Sequence, residues 1–83
     1  MPYIKQEKRE RLDKEISMLT GAMKGEPGEL SYVITKLLQA WYPVSYEGLS
    51  QIVGVLELTK QEFIRRVVEP YEDDKIKHNG DVF

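Results

Sequence analysis

The 83 residues carry 12 lysines and arginines against 14 acids, a net charge of −2. That balance gives no field to draw in a nucleic-acid backbone or an anionic membrane. The absence of cysteine excludes disulfides, thiolate metal sites and cysteine catalysis, and fits a reducing, cytoplasmic setting.

The length suits one domain, residues 1–83, and a core near the lower limit for stability. Oligomerisation is then the ready way to add buried area. The first residues are charged where a signal peptide would be apolar, and no apolar run approaches the thickness of a bilayer.

From the N-terminus, Lys5–Glu15 (KQEKRERLDKE) is almost wholly charged. Glu7–Arg11 and Glu10–Lys14 place acid before base at i,i+4, each pair worth roughly 0.2–0.5 kcal/mol. Leu12, Ile16, Leu19 and Met23 follow as a narrow seam suited to one neighbouring helix. These signals predict a first helix over about Lys5–Lys24, with Gly25 as its stop. In the turn that follows, Pro27 suits the first position of a second helix, and Glu26 and Glu29 suit its positive dipole end. That helix runs to about Tyr42, where Pro43 ends it. Its broad apolar face holds Leu30, Val33, Ile34, Leu37, Leu38 and Trp41, with Leu37 and Trp41 expected in the core.

Ser45 is the expected N-cap of a long third helix, Tyr46–Val68. Leu49, Ile52, Val53, Leu56, Phe63 and Val67 share one face of it, interrupted by Lys60, and Leu56 and Phe63 are expected in the core. Val55 and Leu58 fall on another stripe, with Glu62, Arg65, Arg66 and Glu69, and Ile64 and Val68 on yet another side. A monomer's surface helix should show one apolar face; this one shows more. Pro70 is expected to stop or kink the helix, and a short C-terminal helix then begins and stops at Asn79-Gly80.

Four blocks, MPYI, GELSYVITKLL (28–38), GVLELTKQEFIRRVVEPYED (54–73) and NGDVF (79–83), together give a resemblance. The chain resembles a family of small uncharacterised proteins encoded by bacteria, archaea and phages, a domain of unknown function. It departs from the family's pattern at Ser31, Ile64 and Phe83. The resemblance implies a helical fold and brings no activity, cofactor or catalytic residue.

Two Glu-x-x-Glu pairs, Glu26/Glu29 and Glu69/Glu72, have the spacing with which helical pyrophosphohydrolases hold magnesium. Each encloses a proline and sits at a helix start, so helix capping is the favoured reading. Glu62, Arg65, Arg66 and Glu69 read as a self-neutralised surface ladder, Glu62–Arg66 and Arg65–Glu69. Read functionally, the same arginines would grip a phosphate or a partner's carboxylate. The lone His78 has no second ligand for zinc beside it.

The expected fold is all-α: three main helices, an antiparallel hairpin with the third helix packed across it, and a short C-terminal helix. The leading function is a non-enzymatic homo-oligomer, with Val55, Leu58, Glu62, Arg65, Arg66 and Glu69 at the interface. It needs no cofactor and no metal, and its partner is a second copy of itself or another protein. The alternative is binding of a small anionic, nucleotide-like ligand between subunits by Tyr32, Lys60, Arg65, Arg66 and Tyr71. A magnesium-dependent pyrophosphohydrolase is the third reading.

Overall fold

The computed structural model describes residues 2–41 and 45–83; the expectations that rest on Tyr42 and Pro43 lie outside them. The fold is all-α, with no strand among the described residues. Helices α1 (Gln6–Ala22), α2 (Pro27–Trp41), α3 (Tyr46–Phe63) and α4 (Glu69–Asn79) follow in order. Between α3 and α4 lies a π-helical turn, Ile64–Val68. The chain divides into two compact units, residues 2–52 and 53–83.

In the first unit, α1 ends two residues earlier than expected. Met23 turns extended (φ −84°, ψ 148°), while its N–H still reaches the Thr20 carbonyl at 3.2 Å. Gly25 adopts φ +83° in the turn, a left-handed conformation that glycine enters without steric cost. Glu29, three residues into α2, reaches back. One of its carboxylate oxygens accepts the N–H of Lys24 at 2.8 Å and that of Glu26 at 3.1 Å. This is the acidic half of a capping box, and it satisfies donors that the helix itself cannot. Ser45 caps α3 as expected, its Oγ accepting the Gly48 N–H at 3.0 Å.

The expected hairpin is absent, since α1 and α2 do not pack along their lengths. The extended exit at Met23 sends the chain away from α1, and the α1 seam is too narrow to hold α2 against it. Towards its N-terminal end, α3 approaches α2 only around an open dent of about 250 Å³, lined by Thr35, Leu38, Gln39, Leu49 and Ile52. Gly48 is the sole buried residue among those described.

The second unit, residues 53–83, is one helical run and a short tail. Pro70 neither stops nor breaks it. A proline ring in a helix clashes with the carbonyl four residues back, here that of Arg66. A wide turn lies just before it and changes the carbonyl spacing that the ring meets: the Glu69 N–H bonds to the Ile64 carbonyl, i→i−5 rather than i→i−4, so one extra residue enters the repeat. Gly80 (φ +91°) ends α4 with its N–H on the Ile76 carbonyl at 2.9 Å.

The extra residue has a second effect. An α-helix advances about 100° per residue, so everything beyond the wide turn is set back by about that much. On an uninterrupted helix Val68 would stand well off the stripe of Val53, Leu56 and Phe63. With the wide turn in place it returns to the stripe, beside Ile64 and Tyr71 at its borders, and Glu69 swings away from the side that carries Val55 and Leu58.

The four residues expected in a core are not buried. Leu37 is 58% exposed, Trp41 79%, Leu56 39% and Phe63 59%. A helix face is buried only by a second element, and none of these faces has one laid along it within its own unit.

Candidate functional site

The candidate residues divide unevenly between the two units. Tyr32 belongs to residues 2–52; Val55, Leu58, Lys60, Glu62, Arg65, Arg66, Glu69 and Tyr71 belong to residues 53–83. Tyr32 lies on α2 with the Lys36 ammonium 5.7 Å from its ring centre. Tyr71 on α4 holds Lys75 at 5.5 Å. Both are i,i+4 cation–π pairs, so each ring already has a cation from its own helix.

Lys60, which interrupts the apolar stripe, lies 3.2 Å from a carboxylate oxygen of Glu57. The Gln61 amide donates to the same oxygen at 3.1 Å. The amide and then the ammonium hold the Glu57 carboxyl below its ordinary range. Glu57 was not among the expected residues, although its i,i+3 spacing to Lys60 is legible in the sequence.

Within the charged ladder an i,i+3 pair is formed. Glu62 pairs with Arg65, with Nε at 2.6 Å and a second guanidinium nitrogen at 3.0 Å. On a helix surface i,i+3 neighbours stand as close as i,i+4, and the planar fork of arginine takes both carboxylate oxygens at once. Arg65 is thus neutralised by its own chain, which leaves less positive field for a phosphate. Val55 (58% exposed) and Leu58 (52%) lie open on the adjoining side.

The first acidic pair serves a helix end, where Glu29 caps α2. Glu69 and Glu72 lie in the first turn of α4, which continues the run from the wide turn. No group of three or more His, Asp or Glu side chains among the described residues stands close enough to hold a metal ion. His78 directs Nδ1 to the Asp74 carbonyl at 2.8 Å, one turn back in α4. No helix among the described residues is long and apolar enough to cross a membrane.

The helices, the MPYI start and the NGDVF end fit one known family. Residues 1–82 match the model of a domain of unknown function, DUF6899. The chain belongs to that family. No curated protein and no solved structure matches it. Membership of DUF6899 accounts for the resemblance in the sequence and assigns no role to any residue.

Proposed function

We propose that this DUF6899 protein is a non-enzymatic assembly protein that acts as a homo-oligomer. The observation that carries the reading is the exposure of the apolar faces in each unit. Residues 53–83 contain a single helical run, and helices derive most of their stability in water from tertiary packing of an apolar face. Full burial of a Val, Leu or Phe side chain contributes about 1.5–3 kcal/mol. For a chain this short, leaving these faces in water forgoes the stabilisation that small domains take from association.

Two sides of the run are apolar: the stripe that includes Leu56, Phe63, Val67 and Val68, and the side with Val55 and Leu58. A helix with two uncovered sides accommodates two neighbours. Contact through Val55 and Leu58 would also bring Glu62, Arg65 and Arg66 of each subunit to the rim of the interface. Charges there set register and partner choice more than affinity.

The test is light scattering across the micromolar range. The wild type is expected to run as a dimer or larger, and Leu58→Glu as a smaller or unfolded species. A wild type that stays monomeric at high micromolar concentration ends this reading. Turnover of nucleoside triphosphates with magnesium, lost in Glu72→Gln, would replace it with the enzymatic one.

A further inference from the structure

The wide turn at Ile64–Val68 gathers Leu56, Phe63, Ile64, Val67, Val68 and Tyr71 onto one face of the 53–79 run. We infer that this face pairs antiparallel with the same face of a second copy, about a two-fold axis at Arg66. The inference rests on the homo-oligomeric reading and deepens it by naming the surface, the direction and the register.

The occupant follows from the charges that border the stripe. Lys60 lies six residues before Arg66 and Glu72 six residues after it. By their helical phases, with the extra residue of the wide turn included, both stand at the same edge of the apolar face. In an antiparallel pair related by a two-fold axis, equal edges meet, so Lys60 faces the partner's Glu72 and the relation is repeated by symmetry. At the centre Ile64 lies against the partner's Val68. Arg66 sits on the axis but on the opposite side of the helix, so the two copies are not forced together there.

The neighbouring registers are worse. Moving the axis to residue 65 sets Lys60 level with the partner's Pro70, which carries no charge. Moving it to residue 67 sets Lys60 level with the partner's Asp74, which by the same phases lies on another side of the helix. Either move loses the charge pair at this edge, and such pairs help a helix pair select one register. Lys60 stops being an interruption of the stripe: its stem covers apolar surface while its ammonium lies between its own Glu57 and the partner's Glu72.

The absence of cysteine makes the register directly readable. Lys60→Cys and Glu72→Cys are made as separate full-length proteins and oxidised alone and mixed. The mixture is expected to give a disulfide-linked heterodimer. Lys60→Cys alone is expected to give none, because its two copies would stand twelve residues, about 18 Å, apart, far beyond disulfide reach. Efficient linking of Lys60→Cys to itself would mean a parallel pair and overturn the inference.

The charges give an independent readout. Lys60→Glu should weaken self-association roughly tenfold by opposing two pairs of acids, and Lys60→Glu with Glu72→Lys should restore it. No heterodimer and no rescue from a wild type that does associate overturns this register while leaving the oligomer standing. A wild type that remains monomeric overturns both.

Discussion

Two prolines among the described residues occupy helical positions, and the backbone receives them differently. Pro27 opens α2, where its missing N–H would have had no partner and its fixed φ already suits a helix. Pro70 lies within a helical run, where both its ring and its missing N–H conflict with the repeat. At Pro27 a side chain completes the arrangement: Glu29 reaches back to the donors of Lys24 and Glu26. At Pro70 the backbone does so, by widening one turn. A helix start can be repaired by one residue's side chain. A helix interior is repaired only by changing the repeat, and that alters the facing of every residue beyond.

The comparison is tested most severely by placing a proline where no wide turn precedes it. Thr59→Pro, within α3, is expected to cost about 3 kcal/mol or more and to lower both helicity and melting temperature. If that variant melts with the wild type, the wide turn is not what makes Pro70 tolerable.

The next effect is the reverse substitution. Pro70→Ala removes the reason for the wide turn and should stabilise the run by less than the ~3 kcal/mol that separates the two residues in a helix interior. Amide exchange should show a protected N–H at position 70, with residues 64–68 settling into ordinary α geometry. Persistence of i→i+5 bonding in that variant would mean that something other than the proline sets the turn.

The smallest effect lies at the first proline. Glu29→Ala should cost about 1 kcal/mol, the usual value of a lost cap, and fray the start of α2 in a hydrogen-exchange experiment. A loss nearer 3 kcal/mol would place Glu29 in some further interaction.

Local chemistry made most helix ends legible. Pro27 with Glu29, Ser45, and Asn79-Gly80 each act through atoms within a few residues, so the letters suffice. The wide turn was not legible, because a helical wheel assumes a constant 100° step, and the proline's effect is felt by residues before it. That one assumption set Val68 apart from Phe63, although the wide turn brings it back to the same face.

The missing core has another origin. Leu37, Trp41, Leu56 and Phe63 sit on apolar faces that announce a need for cover but do not name what covers them. In the candidate site, Glu62 pairs with Arg65 at i,i+3, a spacing as available as the expected i,i+4. Composition cannot choose between them.

The extra residue between Phe63 and Glu69 also bears on how this chain can change length. Deleting one residue from a straight α-helix ordinarily turns everything downstream through about 100° and scrambles its facing. In the π turn, a deletion would restore the regular repeat with little harm to the hydrogen bonding, but it would bring the Arg66 carbonyl back against the ring of Pro70. The surplus residue and the proline are therefore tied as a pair. A descendant of this sequence that loses one should lose the other, and single-residue gaps paired with the absence of this proline are the mark that history would leave.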